Sequence, residues 1–190
     1  MIRNKSTKGF TIVELLIVIV IVAILAAIVI VAYNGVQVRA KASAITSGLK
    51  SAEKAFRLYA IDKSYDSWPA DSTMIAGVST NPTIQQFIDN TSFKNYMQKT
   101  PNIANTPSLY WFYDFDSDSR GNCGSRYSGT NIIILYMPQD VAAQIDKDID
   151  DGDLTCGRVR YDGTSTPAQP YFFYSLSYGK ELECFSSCTN

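Results

Sequence analysis

The sequence predicts an α+β chain. It reads as one long N-terminal helix, transmembrane in its first half and amphipathic in its second, packed on a small antiparallel β-sheet head. Three observations lead there. Residues Leu15 to Ala32 are 18 consecutive apolar residues. Beyond them apolar residues recur at alternating spacings of four and three, the period of a helix with one buried face. Later still come three short aromatic or β-branched runs bounded by Gly, Pro and Ser, the pattern of strands. The composition of the 190 residues (46% hydrophobic, 18% charged, mean hydropathy near zero) averages a greasy segment with a correspondingly polar remainder.

Charge and composition exclude several classes of function. Lys and Arg total 17 against 18 Asp and Glu, so a wholesale basic nucleic-acid binder is not expected. The chain has no histidine, which removes Ser-His-Asp, Cys-His and His-rich metal chemistry. Carboxylates are plentiful, but none stands out as a catalytic pair and no nucleophile motif appears, so an enzyme is not expected.

A helix from Phe10 to Tyr33 would be about 36 Å long, enough to cross a ~30 Å hydrocarbon core with some tilt. The Ile and Val run from Ile17 to Val22 has strand propensity, but a lone strand in lipid leaves its backbone polar groups unpaired, so helix is expected. Met1 to Lys8 holds Arg3, Lys5 and Lys8 and no acid, which places the N-terminus in the cytoplasm and Asn34 onward outside. The stretch is too long for a secretory signal, and no A-x-A-like site follows it. A simple signal anchor would have no use for Glu14, a carboxylate just inside the hydrophobic segment. An acid there costs a few kcal/mol and calls for a cationic partner.

The run KGFTIVELLIVIVIVAILAAIVIVAY closely resembles the N-terminus of type IV pilins and the pseudopilins of type II secretion. The shared features are a short basic leader, a Gly, a Phe, a Glu at the fifth position after the Gly, and about twenty apolar residues. The resemblance implies a pilin-like fold. It also implies a prepilin peptidase that cuts between Gly9 and Phe10 and methylates the new N-terminal Phe10, and a Glu14 that pairs with the terminal ammonium of a neighbouring subunit. The implied partners are other copies in a homo-oligomeric filament, other pilins, an inner-membrane assembly platform, and membrane lipid before assembly. The precursor would sit in a bacterial inner membrane, and the mature form in an extracellular or periplasm-spanning filament. A minor pilin or pseudopilin is the runner-up within the family. A signal-anchored adhesive or binding protein that never polymerises is the alternative from another class. Many pilins have a kinking Pro in mid-helix where this chain has Val31; here the apolar run meets Asn34-Gly35 instead, a pair that weakens a helix.

Four segments follow from these boundaries: a leader over 1–9, an assembly helix over 10–34, an amphipathic extension over 35–62 and a head over 63–190. The extension carries Val38, Ala42, Ile45, Leu49, Ala52, Phe56 and Tyr59 on one stripe, with Arg39, Lys41, Lys50, Lys54 and Arg57 opposite and Glu53 as the one acid. It should end between Ile61 and Ser64, ahead of Pro69. In the head, a short helix is expected over Thr83 to Asp89 and another over Gln139 to Asp148. Strands are expected over Leu109 to Phe115, Asn131 to Met137 and Tyr171 to Tyr178, with a fourth over Gly157 to Tyr161. The twelve Tyr and nine Phe are expected chiefly between sheet and helix.

Cys123, Cys156, Cys184 and Cys188 are an even set in a domain expected outside the membrane, which argues for disulfides with three pairings open. Gly-flanked loops around the first two and the closeness of the last two favour Cys123 with Cys156 and Cys184 with Cys188. A C-terminal disulfide loop is also similar to the pilin family's. Zinc would need paired C-x-x-C spacings that are absent. The run DKDIDDGD, Asp146 to Asp153, is the one metal-like signal, and Asp146, Asp148, Asp150, Asp151 and Asp153 are the candidate calcium ligands. The run fails the EF-hand template: counted from Asp146, the sixth position is Asp151 rather than Gly and the twelfth is Gly157 rather than Glu. Arg158 and Arg160 are alternative counter-ions for it, and Gly152 fits a helix C-cap. The segment also resembles a loop of pilin-like heads, which implies a structural role. No other cofactor is expected. Losing the leader would leave 14 basic residues against 18 acidic, a net charge near −4.

Overall fold

The computed structural model describes residues 9–64, 68, 82–90, 92–101, 109–118, 128–163 and 167–176. Its elements in chain order are α1 (Ile12–Asp62), α2 (Ile84–Asn90), a 3-10 turn (Ser92–Asn95), β1 (Tyr110–Asp118), β2 (Ser128–Leu135), α3 (Gln139–Ile149), β3 (Val159–Asp162) and β4 (Tyr171–Ser175). The chain divides into two compact units at Gln37/Val38.

The first unit contains the apolar part of α1. The large hydrophobic side chains described from Ile12 to Ile30, with Tyr33 and Val36, are all at least half exposed within the chain, Ile12 by 80% and Leu16 by 51%. α1 is the one described helix long and apolar enough to cross a membrane. The helix runs through Asn34-Gly35 without a break. The weak pair is tolerated, because losing about 1 kcal/mol of propensity at one Gly does not outweigh the apolar and well-packed turns on either side.

The second unit is built on the other half of α1. Ala42, Ile45, Leu49, Ala52, Phe56 and Tyr59 are buried, and Val38 is half-buried, so the four-and-three stripe is the helix face that joins the core. Gly48 sharpens the contact: a β-carbon there would come within 2.9 Å of Pro101 and 3.1 Å of Trp111, so a small residue is what lets the helix backbone approach. The sheet is antiparallel with order β1-β2-β4-β3, the last strand in sequence lying between β2 and β3. Its register puts Trp111 opposite Ile134, Tyr113 opposite Ile132, Ile134 opposite Phe172, and Tyr174 opposite both Ile132 and Val159. Strand alternation therefore gathers these apolar residues on one face, and all of them are buried. A β-bulge between Asp114 and Ser117 shifts the far end of β1.

Aromatic rings form the centre. Phe56 stacks on Tyr113 at 4.2 Å and meets Phe93 at 4.5 Å and, edge-on, Phe87 at 5.5 Å. Helix α2 begins with a capping box: Gln86 Oε1 accepts from the Thr83 N–H at 2.8 Å, and the Gln86 N–H donates to Thr83 Oγ1 at 3.2 Å. Helix α3 puts Val141, Ala142 and Ile145 into the core. Its C-cap is Asp150 rather than Gly152; Gly152 lies two residues further on, where φ of 84° turns the chain back. Cys156 is disulfide-bonded. The expected pairings fall on Cys123, Cys184 and Cys188, outside the described residues.

Candidate functional site

Three polar sites stand out from these elements, one at the start of α1 and two in the sheet unit. At the first, α1 opens with Thr11 and reaches Glu14 one turn later. The Thr11 N–H donates to Glu14 Oε2 at 2.9 Å, the Thr11 hydroxyl donates to the same oxygen at 2.7 Å, and the Glu14 N–H donates to Thr11 Oγ1 at 3.2 Å. This is a capping box of the type T-x-x-E, which satisfies two amide donors that the first helical turn leaves open. The sequence carries the signal for it in Thr11-Ile12-Val13-Glu14, a Thr three residues ahead of a Glu at the start of an apolar run, a spacing that the charge of Glu14 alone does not reveal. The box engages one carboxylate oxygen and leaves Glu14 exposed beside Phe10, itself 78% exposed. The carboxylate is thus tied to the first turn of α1, close in sequence to Phe10.

The second site joins α1 to the sheet. Glu53 Oε2 accepts from the Tyr174 hydroxyl at 2.7 Å and lies 2.9 Å from Arg158 Nη2, while Oε1 is 3.7 Å from Arg57. The Arg158 guanidinium also lies over the Tyr174 ring at 4.5 Å and donates to the Ser175 carbonyl at 3.0 Å. Burial, and then donation to Glu53, push the Tyr174 phenol far above its ordinary range, with Arg158 opposing. Beside it, buried Arg160 donates to Asn131 Oδ1 and Ser175 Oγ, both at 3.0 Å, and the Ser175 hydroxyl donates to Asn131 at 2.7 Å. Both groups fix strand to strand or strand to helix, a structural role. Sequence reasoning marked Glu53 as the lone acid of its face but had no signal for a partner 121 residues away. Glu53→Ala should leave the buried Tyr174 hydroxyl without its acceptor and Arg158 without its counter-ion. We expect a loss of about 2 kcal/mol, measured by urea unfolding of the full chain in mild detergent.

The third site lies at the end of α3. The structure divides the five candidate acids. Asp148 is exposed and accepts from the Gln144 amide at 2.8 Å. Asp153 is exposed and accepts from the Thr155 hydroxyl at 2.6 Å and the Thr155 N–H at 3.0 Å, and these bonds lower its pKa. Asp146, Asp150 and Asp151 converge, with one oxygen from each within 4.8 Å of the others. Asp146 is fully buried and neither of its oxygens has a hydrogen-bond partner. Burial raises its pKa to about 6, with the charges of Asp150 and Asp151 adding to the effect; the Gly152 N–H opposes it, and the charge of Asp153 adds least. Asp150 Oδ2 accepts from the Val159 N–H at 2.7 Å, and Asp151 Oδ1 from the Asp153 N–H at 2.9 Å.

Residues 4–30 match the family model for the prokaryotic N-terminal methylation motif, the leader of type IV pilins and pseudopilins. No curated protein and no solved structure matches the chain.

Proposed function

We propose that the chain is the precursor of a structural, non-enzymatic subunit of a type IV pilus-like filament. It enters the inner membrane with its N-terminus in the cytoplasm, is cut between Gly9 and Phe10, is methylated on Phe10, and then polymerises through α1. The observation that carries this reading is the pairing of the methylation motif at residues 4–30 with an apolar stretch of α1, from Ile12 to Val36, whose described large hydrophobic side chains are all at least half exposed. Such a surface needs a continuous apolar environment, which lipid supplies before assembly and neighbouring copies of the same helix supply afterwards. Motility, adhesion, DNA uptake and secretion are the uses open to such a filament.

The test is co-expression with a prepilin peptidase, followed by mass measurement of the product's N-terminus. We expect a mature chain that begins with N-methylated Phe10. Gly9→Leu puts a branched side chain where the protease cleft must approach the backbone, and the precursor should remain uncut by at least about tenfold in yield. An unprocessed native chain would instead favour a signal-anchored binding protein that stays monomeric in the membrane. Abundance in sheared fibres separates a major subunit from a minor pilin or a pseudopilin. Disulfide pairing of Cys123 with Cys156 and of Cys184 with Cys188 is part of the proposal, and non-reducing peptide mapping reads it directly.

A further inference from the structure

We propose that Asp146, Asp150 and Asp151 bind one calcium ion at the C-terminal end of α3. The Asp146 carboxylate, with no solvent exposure and no hydrogen bond on either oxygen, lacks the compensation that buried polar groups almost always have. Its oxygens face those of Asp150 and Asp151 within 4.8 Å, so three carboxylates share one small volume. They also sit at a helix C-terminus, where the backbone dipole already disfavours negative charge. A cation at their centre removes all of these costs together.

Among the described residues no cationic side chain does so, and none of these three acids forms an ion pair. The two arginines that follow in sequence are directed elsewhere, Arg158 to Glu53 and Ser175, and Arg160 to Asn131 and Ser175. The loop is also held in the shape that keeps the acids together. Asp150 and Asp151 each use one oxygen to hold a backbone N–H, which leaves the other oxygen for a ligand. Gly157 has φ of +91°, and a β-carbon there would collide with the Asp150 carboxylate. Asp151 is exposed and Asp150 half-buried, so the cluster opens to solvent on that side.

The donor set selects the ion. All three ligands are hard, charged oxygens, with neither imidazole nor thiolate, which favours calcium or magnesium over zinc or copper. Calcium, at about 2.3–2.6 Å, accepts irregular geometry from a loop such as this, whereas magnesium at about 2.1 Å demands octahedral regularity. Water and loop carbonyls would complete the six to eight ligands that calcium usually takes, roughly as in other partly open sites. This inference does not depend on the filament reading and fails separately from it.

The test is isothermal titration of the full chain in a non-ionic detergent with calcium chloride after EDTA treatment, paired with thermal unfolding. We expect one calcium per chain, with an affinity in the range of extracellular modules, about 10⁻⁴ to 10⁻³ M. At calcium about ten times that Kd, Tm should rise by about 3–6 °C and fall back on chelation. Asp151→Asn, on an exposed residue whose change leaves the core intact, should weaken binding about tenfold or more. Asp148→Asn should bind like the native chain. Asp146→Asn should abolish the calcium-dependent rise in Tm. The proposal is overturned if about 10 mM calcium produces neither heat nor a change in Tm, if magnesium stabilises equally, or if Asp148→Asn weakens binding as much as Asp151→Asn.

Discussion

Glu14→Gln is expected to insert in the membrane, to be cleaved after Gly9, to start α1 as the native chain does, and still to be missing from fibres. Glu14 has one duty that the structure shows and a second that the filament reading adds. One is the capping box with Thr11, in which a single side-chain oxygen accepts from the backbone and the hydroxyl of Thr11. Glutamine can do this equally well, and the chain itself contains the example: Gln86 accepts from the backbone and hydroxyl of Thr83 at the start of α2. The other duty is the negative charge, which glutamine lacks. In the filament reading that charge meets the ammonium of a neighbour's Phe10 in an apolar surround, where an unpartnered ion of either sign is strongly disfavoured. Glu14→Ala removes both duties, and its additional loss of the cap is worth about 1 kcal/mol at the helix start. Fibre yield after shearing should therefore fall at least about tenfold in both variants, since each subunit contact loses more than about 1.4 kcal/mol. If Glu14→Gln makes fibres at native yield while Glu14→Ala does not, the box alone is what assembly requires and the charge-pairing role is wrong.

Elements whose shape is fixed locally were legible in the sequence. Phe56 and Tyr59 fall on a four-and-three stripe that needs no knowledge of what covers it, and Tyr113 and Tyr174 fall on runs with the period of strands. The start of α2 was readable from Thr83, and Asp62 ends α1 inside the range that the turn-forming residues set. What depends on pairing across the chain was not legible. Nothing near Tyr174 says that β4 inserts between β2 and β3, because strand order reflects which apolar faces fit together rather than any local preference. The bulge after Asp114 and the link from Glu53 to Arg158 are of the same kind. Asp146 is an intermediate case. It stands four residues after buried Ala142 and directly after buried Ile145, on the apolar face of α3, whereas Asp148 turns to water. Helical period alone could have separated the acid that costs free energy from the one that does not.

Phe56→Ala is expected to destabilise the sheet unit by about 3–5 kcal/mol, the usual cost of emptying a fully buried aromatic site. Three features put this position at the upper end of that range. Its ring touches Phe87, Phe93 and Tyr113, so the vacated volume is lined by large rigid rings that cannot easily collapse inward. The same contacts join α1 to both α2 and β1, so their loss falls on several elements at once. Stacked and edge-on ring pairs also contribute about 0.5–1.5 kcal/mol each beyond buried area. Phe56→Leu keeps most of the volume without the ring contacts and should lose about 1–2 kcal/mol. Urea unfolding of the full chain in mild detergent measures both, and a loss below about 1 kcal/mol for the alanine variant would show that Phe56 is not the keystone described here. In the filament reading, membrane insertion and processing depend on residues before Val38, which belong to the other compact unit. A Phe56→Ala precursor should therefore be cut after Gly9 at the native rate, while its sheet unit becomes sensitive to protease. Slowed cleavage in that variant would mean that the peptidase reads the folded sheet unit as well as the leader, and the division of labour between the two units would have to be abandoned.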